Sequence, residues 1–299
     1  MRQTLAGPFL VGALLATPAL GADDGLKLSG TAEFIASYLH LNAIDDAADS
    51  PVIQPEEAGT LWTLGGRGAL DAARGALHLQ TDFSGEGTVH NRHSDDTYLG
   101  SLGGGLHAGW RDPELGSLGA FGSMGQFEIN DLDGKDPTSF AWGVGLEGQI
   151  FFDPVTLYLQ SGYLDREPVS SGGDKDALKN AGFARAVGRF FIGDDFEIEA
   201  EGSYAQGKMD PDGDNVLIPG WGVELDYRLP GTPIAGFLRY TGAYYFQDDD
   251  TDKMLENRIG FGLRAYFGQP SLKANDRRGA SLDLPRYLQW NGVIAGPLE

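Results

Sequence analysis

The sequence predicts an all-β fold, a transmembrane up-and-down antiparallel β-barrel of about twelve strands with a C-terminal tail. Three observations lead to this prediction. Short segments in which apolar and polar residues alternate recur along almost the whole chain of 299 residues. The connections between these segments are alternately short and long. Glycine (45 residues) is abundant and cysteine is absent, which excludes disulfides and thiolate metal sites.

The N-terminus has the pattern of a secretory signal peptide. Arg2 is followed by an apolar stretch from Leu5 to Ala16, and Ala19 and Gly21 are the small residues expected before a cleavage site. This stretch is shorter than the ~18 apolar residues that a membrane-spanning helix needs, and so is every later one. We expect a signal peptide over residues 1–21, a transmembrane barrel over residues 22–267 and an extension over residues 268–299.

Each strand is predicted from period-two alternation, since successive side chains of a strand point to opposite faces. In one segment, for example, Val223 and Leu225 are apolar, whereas the residue between them, Glu224, is charged. Typical segment lengths match the ~9–11 residues of a transmembrane strand. The predicted strands cover residues 26–40, 59–70, 75–84, 97–110, 116–127, 139–151, 155–164, 182–192, 195–205, 219–229, 233–246 and 257–267.

The connections between predicted strands differ in length and charge. The short ones contain Asp, Pro and Gly, which supply turn dihedrals, and cover residues 71–74, 111–116, 152–154, 193–194 and 230–232. The long ones hold most of the net charge of −21 and cover residues 41–58, 85–96, 128–138, 165–181, 206–218 and 247–256. A soluble β-sandwich has no reason to collect its charge at one end, although a soluble β-protein stays the alternative.

The predicted last strand ends with the residues Arg-Ile-Gly-Phe-Gly-Leu-Arg-Ala-Tyr-Phe, positions 258–267. With this segment, the signal peptide and the loop asymmetry, the chain resembles porin-like outer-membrane β-barrel proteins of Gram-negative bacteria. The segment is similar to the barrel-assembly signal of that class. The resemblance implies insertion by the barrel-assembly machinery and contact with the lipid bilayer and with outer-leaflet lipopolysaccharide. It also implies that the short turns and both termini face the periplasm.

The chain departs from the class by continuing beyond Phe267, where members usually end. The extension from Gly268 to Glu299 is mildly basic, and its three prolines argue against a long regular element. We expect it to be periplasmic. It is interpreted as a disordered or surface-lying tail, as a segment that folds into the mouth of the barrel and narrows it, or as a contact to the cell wall or a periplasmic partner.

Charges on the polar face of the strands identify that face as the wet interior, because a lipid-facing Arg or Lys at the midplane costs about 2–4 kcal/mol. Arg185 and Arg189 are expected to form a cross-strand ladder with the glutamates of the next strand. The interior is then a polar channel with a transverse field that selects solutes, or a salt-bridged closed lumen, since twelve strands enclose a narrow bore. The predicted lumen-lining residues are Lys27, Glu33, Arg67, Asp82, Glu147, Arg185, Arg189, Glu197, Glu199, Glu201, Glu224, Asp226, Arg228, Arg239, Arg258 and Arg264.

Aromatic residues flank the predicted strand ends, as in the aromatic girdles of membrane barrels. The predicted girdle consists of Trp62, Trp110, Phe152, Trp221, Tyr227 and Phe267.

The sequence contains no G-x-S-x-G, P-loop or H-E-x-x-H motif, so no enzymatic activity and no cofactor are expected. His90 and His93 lie in a predicted outer loop, and His40 lies near the outer rim without a well-placed serine. His78 and His107 are predicted to line the lumen. The aspartate runs are interpreted as solvated loops rather than metal sites; the run from Asp210 departs from the calcium-loop pattern at positions 6 and 12. The other runs are Asp131, Asp133 and Asp136, and Asp248, Asp249, Asp250 and Asp252.

These features predict passive diffusion of small hydrophilic solutes through the lumen. A mild cation preference is expected, because the acidic outer loops would raise the local concentration of cations. The alternative is a non-conducting structural or surface-recognition barrel; a barrel hydrolase is a third and weaker interpretation. The net charge of −21 argues against nucleic acid as a partner.

Overall fold

The computed structural model describes residues 25–44, 60–91, 98–130, 138–168, 177–210, 215–247 and 253–285. Within these ranges twelve antiparallel strands form a closed barrel, in which every strand pairs with its neighbours in sequence and the first pairs with the last. The predicted fold class and strand number are therefore confirmed. The strands are β1 (Lys27–Ile44), β2 (Thr60–Arg74), β3 (Leu77–Asn91), β4 (Tyr98–Asp112), β5 (Gly116–Asn130), β6 (Thr138–Phe152), β7 (Val155–Pro168), β8 (Ala177–Phe191), β9 (Phe196–Asp210), β10 (Asn215–Arg228), β11 (Ile234–Gln247) and β12 (Lys253–Phe267).

Most strands extend further toward the long connections than the alternation predicts. β3 continues to Asn91 and β8 begins at Ala177, because the backbone ladder persists where side-chain alternation weakens. We call this end of the barrel the loop end and the opposite end the turn end. The predicted signal peptide lies outside the described residues, and so does the rest of each long connection. These residues are 1–24, 45–59, 92–97, 131–137, 169–176, 211–214 and 248–252.

One predicted turn is wrong. Residues 71–74 belong to β2, and the turn to β3 consists of Gly75 and Ala76. Asp71 continues the inward-facing row of β2 and is only 1% exposed, so it is a lumen residue rather than a turn former. Gly75 supplies the turn because its φ of 60° is a conformation that glycine adopts without steric cost.

The outside of the barrel is apolar. Large exposed side chains such as Phe34 (54%), Leu102 (71%) and Phe261 (59%) point away from the axis. Along β10 every second residue is buried, with Leu225 on the outside and Glu224 and Asp226 buried inside. Among the described residues no helix has the length and apolar character needed to cross a membrane. The apolar outer surface is built by alternate residues of the strands.

A short C-terminal segment follows β12 and enters the barrel. Helix α1 (Leu272–Arg278) is capped by Ser271, whose Oγ accepts a hydrogen bond from the Ala274 backbone N–H at 3.1 Å. Residues 279–285 continue without regular structure, and most of them are buried. We call residues 268–285 the C-terminal segment. This segment folds into the mouth of the barrel, which is one of the three interpretations given for the tail. Residues 286–299 lie outside the described ranges.

The lipid-facing assignment predicts a specific destabilisation. Leu225→Arg should lower the free energy of unfolding in lipid vesicles by about 2–4 kcal/mol, because it puts a charge on the apolar belt. The measurement is denaturant-induced unfolding monitored by tryptophan fluorescence. Leu225→Ala is the matched control that removes the side chain without adding charge. Equal losses for the two variants would contradict a lipid-facing position.

Candidate functional site

Charged side chains form clusters in the described part of the lumen, and the first cluster links strands across the seam of the barrel. We call Glu33, Glu224, Asp226, Arg239 and Arg264 the Glu33 cluster. Glu33 accepts hydrogen bonds from Arg239 Nη1 at 3.0 Å and from Arg264 Nη2 at 2.6 Å. Arg264 also reaches Glu224 at 2.7 Å and Asp226 at 2.8 Å, and Arg239 pairs with Glu224. Each arginine is therefore shared between carboxylates on different strands.

The register of the paired strands explains why these side chains meet. Glu33 lies opposite Arg264 in the β1–β12 ladder, and Glu224 lies opposite Arg239 in the β10–β11 ladder. Both guanidinium groups stand over the ring of Phe237, at 5.0 and 4.9 Å from its centroid. Gly262 makes room for that ring, since a β-carbon there would lie 2.6 Å from Phe237 Cζ.

The second group, the Arg189 cluster, joins β8 and β9 to the C-terminal segment. Arg189 lies opposite Glu199 in the ladder and is hydrogen-bonded to it at 2.9 Å, while Arg185 bonds Glu201 at 2.9 Å. The structure thus contains the expected cross-strand ladder, with Glu197 more distant at 3.7 Å from Arg189.

The same arginines bind the C-terminal segment. Arg189 donates to Asp276 at 2.8 Å, to the Ser281 carbonyl at 3.0 Å and to Asp283 at 3.0 Å. Asp283 also lies 3.6 Å from Arg185 and 3.5 Å from Arg67. Five basic or acidic groups therefore fasten this segment inside the lumen.

A third cluster is centred on His107, which is fully buried. Its Nε2 lies 2.7 Å from Asp82 and its Nδ1 lies 2.7 Å from Glu147. The Tyr158 hydroxyl donates to Glu147 at 2.6 Å. An imidazole that faces a carboxylate on each nitrogen can donate from both only in its charged form, so the arrangement suits an imidazolium ion. The cluster braces β3, β4, β6 and β7 from within.

Further side chains complete the docking of the C-terminal segment. Gln80 exchanges two hydrogen bonds with the Leu282 backbone, at 2.6 and 3.2 Å, in the manner of a β-bridge. Gln160 donates to the Asp283 carbonyl at 2.7 Å, and Arg111 donates to the Gly279 carbonyl at 2.6 Å. At the turn end Lys273 pairs with Asp153, which holds the pKa of that exposed carboxyl below its usual value.

Sequence alternation does not predict that part of the lumen is apolar. Phe183 and Val187 share the inward face of β8 with Arg185 and Arg189, and are 5% and 0% exposed. The residues of this kind that pack together, which we call the lumen apolar cluster, are Phe121, Leu164, Leu178, Ala181, Phe183, Ala205, Val216, Ile218, Ala243, Tyr245 and Leu284. The prediction of a uniformly wet interior is therefore wrong, because one side of the lumen toward the loop end is packed like a protein core.

Two cavities remain in the lumen, and charged side chains line both of them. The inner cavity, about 80 Å³, is lined by the Glu33 and Arg189 clusters and ends on Ala280–Leu284 of the C-terminal segment. The outer cavity, about 70 Å³, is lined by Glu86, Glu256, Arg258 and several Ser and Gly residues. Each can hold about five water molecules. Arg67, Ser84 and Arg239 border both cavities, so these three residues lie between them.

All but one of the predicted lumen residues border the interior. Glu33, Asp82, Glu147, Arg185, Arg189, Glu224, Asp226, Arg228 and Arg239 are buried. Arg67, Glu197, Glu199 and Arg264 line the inner cavity, and Glu201 and Arg258 line the outer one. Lys27 differs: it is the first residue of β1, at the turn end, and is exposed. Lumen residues that the sequence analysis did not single out are Glu86, Arg111, Tyr158, Gln160, Arg166, Glu256, Asp276 and Asp283.

The predicted girdle residues face outward, but not all lie at strand ends. Trp62 is near the loop end, and the turn-end residues are Trp110, Phe152, Tyr227 and the half-buried Phe267. Trp221 is the seventh residue of β10, because that strand begins at Asn215, earlier than predicted.

The remaining candidate residues form no metal site in the part of the chain that the structure describes. His78 is buried 3.5 Å from Asp71. His90 belongs to β3, opposite Trp62, rather than to a loop, because the ladder continues to Asn91. His93 and the aspartate runs lie outside the described ranges, except Asp210, the last residue of β9.

The barrel is similar to solved outer-membrane barrels at low sequence identity. The KdgM porin in complex with disordered oligogalacturonate matches 78% of this chain and 99% of its own, at 10% identity and a TM-score of 0.42. The Pseudomonas putida toluene transporter TodX matches 83% and 90%, at 7% identity and a TM-score of 0.44. The β domain of the Bordetella autotransporter BrkA matches 81% and 100%, at 13% identity and a TM-score of 0.47.

No family model and no curated protein matches the sequence. Likeness at this identity and at these TM-scores carries no statement about solute or activity.

The Glu33 cluster predicts a measurable stability effect. Glu33→Gln should lower the free energy of unfolding by about 3 kcal/mol, because it removes the shared carboxylate of two buried arginines. The measurement is the denaturant midpoint in detergent micelles. Glu114→Gln, in the β4–β5 turn, is the control and should change stability by no more than about 0.5 kcal/mol. If the two variants were equally stable, the cluster would not hold the seam together.

Proposed function

We propose that this protein is a channel of the Gram-negative outer membrane for small hydrophilic solutes, closed at rest by its own C-terminal segment. The observation that carries the proposal is a pair of lumen cavities that share Arg67, Ser84 and Arg239 as a border, the inner of which ends on Ala280–Leu284. A solute entering from the loop end meets charged and hydroxyl groups along this side of the lumen. Passage to the turn end requires that the segment move. The mechanism involves no bond making, so the protein is proposed not to be an enzyme.

The orientation follows from the class. Outer-membrane barrels have short periplasmic turns and longer outer loops, so the turn end and helix α1 would face the periplasm. Residues 1–21, as a cleaved signal peptide, would deliver the chain across the inner membrane. The partners are then the barrel-assembly machinery during insertion, the bilayer and outer-leaflet lipopolysaccharide around the finished barrel, and the solutes inside it.

A mild cation preference is part of the proposal. Acidic side chains outnumber arginines on the described inward face, even though most arginines are paired. The predicted acidic outer loops would add to the negative potential at the entrance. The inward acids are Glu33, Asp71, Asp82, Glu86, Glu147, Glu197, Glu199, Glu201, Glu224, Asp226 and Glu256, against Arg67, Arg111, Arg166, Arg185, Arg189, Arg228, Arg239, Arg258 and Arg264.

The second candidate is a non-conducting barrel that serves as a structural or surface-recognition protein. The lumen apolar cluster favours it, because its members are 0–8% exposed in a region where a wide pore would hold water. Under this alternative the charged clusters only stabilise the interior.

Truncation separates the two candidates. A chain that ends at Phe267 should conduct in planar bilayers with a single-channel conductance at least about threefold above that of the full chain, because the inner cavity loses its floor. Arg189→Gln, which loosens the segment without removing it, should raise the frequency of opening. Arg74→Gln, at an exposed turn-end position, is the control and should behave as the unaltered chain. A truncated barrel that is folded by circular dichroism yet does not conduct would refute the channel and leave the structural role.

Ion selectivity is tested on the truncated channel in a tenfold KCl gradient across a neutral-lipid bilayer. The reversal potential should have the sign of potassium permeation, since the inward face carries excess negative charge. Equal permeabilities for potassium and chloride would contradict the cation preference while leaving the channel itself in place.

A further inference from the structure

The backbone of Leu282 and Asp283 is hydrogen-bonded by side chains of the barrel wall. Gln80 donates to the Leu282 carbonyl at 2.6 Å and accepts from the Leu282 N–H at 3.2 Å. Gln160 donates to the Asp283 carbonyl at 2.7 Å, and the Tyr158 hydroxyl accepts from the Asp283 N–H at 3.3 Å. All four backbone groups of two consecutive residues are therefore recognised, and such groups are common to every peptide.

The wall holds these polar groups in place through contacts of its own. Gln80 Nε2 also donates to Asp82 at 3.0 Å, and Gln160 Oε1 accepts from Arg185 at 2.9 Å. The Tyr158 hydroxyl is bonded to a carboxylate of β6. All these partners belong to strands, so the two amides and the hydroxyl keep their orientation when the C-terminal segment moves. Groups that are oriented beforehand lose little entropy when a ligand binds to them.

The carboxylate of Asp283 lies among three arginines of the wall. It is 3.0 Å from Arg189, 3.6 Å from Arg185 and 3.5 Å from Arg67. Charge-assisted hydrogen bonds to guanidinium groups are stronger than neutral ones. This position therefore selects an acidic side chain over a neutral one.

The side chains on either side of Asp283 pack against apolar residues. Leu282 forms a buried cluster with Tyr158 and Val187. Leu284 belongs to the lumen apolar cluster, and a β-carbon at Gly105 would lie 2.5 Å from its Cδ2. The wall thus accommodates an apolar, an acidic and an apolar residue in succession.

Part of this site is open to the lumen. Asp283 and Arg67 line the inner cavity, and their side chains are 28% and 22% exposed. A carboxylate in the cavity can therefore reach Arg67 while the C-terminal segment is still bound. The movement of the segment that the proposed function requires then uncovers the remaining groups of the site.

We propose that Leu282–Leu284 occupy a binding site for free peptides, and that the solutes of the channel are short peptides in which an acidic residue stands between two apolar ones. The C-terminal segment is an internal ligand, which a solute peptide displaces by taking over its hydrogen bonds and its arginines. This inference rests on the proposed function for the release of the peptide at the turn end, but not for its binding. The cation preference proposed above concerns small ions in the lumen, whereas here three guanidinium groups converge on one carboxylate.

Peptide binding is measured on the full chain in detergent micelles by fluorescence anisotropy. The probe is a labelled, end-capped peptide Ser-Leu-Asp-Leu-Pro, the sequence of residues 281–285. Leu282→Gly, Asp283→Gly and Leu284→Gly together vacate the site and keep the rest of the segment. This vacated chain should bind the probe at least about tenfold more tightly than the unaltered chain, whose own segment competes at millimolar effective concentration. Failure of the vacated chain to bind the probe would overturn the proposal.

A second peptide, Ala-Val-Asp-Ile-Ala, tests whether the site accepts the whole class. It should bind the vacated chain within about tenfold of the probe, because the backbone contacts are the same. The same peptide with Asn in place of Asp should bind at least about tenfold more weakly. Binding of the probe without binding of Ala-Val-Asp-Ile-Ala would show that the site fits only the segment of this chain and would overturn the solute class. Equal binding of the Asp and Asn peptides would overturn the selection of an acidic residue.

Arg67→Gln in the vacated chain tests the pairing of the peptide carboxylate. It should weaken binding of Ala-Val-Asp-Ile-Ala by about threefold or more and leave the Asn peptide unaffected. Arg74→Gln, at an exposed turn-end position, is the matched control and should change neither affinity. Equal weakening of both peptides by Arg67→Gln would contradict the pairing. None of these readouts involves conductance, so a barrel that binds peptides and never conducts refutes the channel alone, and a conducting barrel that binds no peptide refutes this inference alone.

Discussion

The structure depends on closure of the backbone ladder between β1 and β12. In hydrocarbon an unpaired N–H or C=O group costs several kcal/mol, and only a helix or a closed sheet satisfies all of them. Fifteen residue pairs join the two strands, from Gly30 opposite Phe267 to Ile44 opposite Lys253. Once the sheet is closed, each side chain must point either to lipid or to the axis, and this choice sorts the apolar and charged residues of the whole chain.

Closure also explains why the charged residues form clusters. A charge directed to the axis of a narrow barrel is partly removed from water, and it is tolerated only with a partner. Glu33 therefore joins β1 to β11 and β12, and His107 on β4 lies between carboxylates of β3 and β6. The C-terminal segment supplies two more carboxylates, those of Asp276 and Asp283, to arginines of the wall. The interior is stabilised as a network in which the segment is one more element.

The strands and their faces could be predicted from sequence, because period-two alternation is a local signal that needs no knowledge of neighbours. Alternation predicts that Glu224 and Leu225 lie on opposite faces of β10, and in the structure Glu224 is buried whereas Leu225 is exposed. Alternation does not say what fills the interior, however. Phe183 faces inward beside Arg185 because the lumen apolar cluster packs there, and this packing involves residues from distant strands.

The tail could be predicted least. Its prolines and mixed charges have no periodicity, and its position depends on long-range contacts such as those of Gln80 with Leu282. The sequence feature that is consistent with this position is the pair of acidic residues Asp276 and Asp283, which bind inward-facing arginines in the structure. Composition also misplaces one strand end: it predicts a turn over residues 71–74, whereas Asp71 is a buried lumen residue and the turn begins at Gly75.

The central claim is that lipid and lumen alternate along each strand of a sealed barrel. It is tested most directly by placing single spin-labelled cysteines at positions 221 to 228 of β10 in lipid vesicles and measuring their accessibility to oxygen. The account predicts high values at 221, 223, 225 and 227 and low values at the positions between them. Accessibility without a period of two, or with the opposite phase, would contradict it.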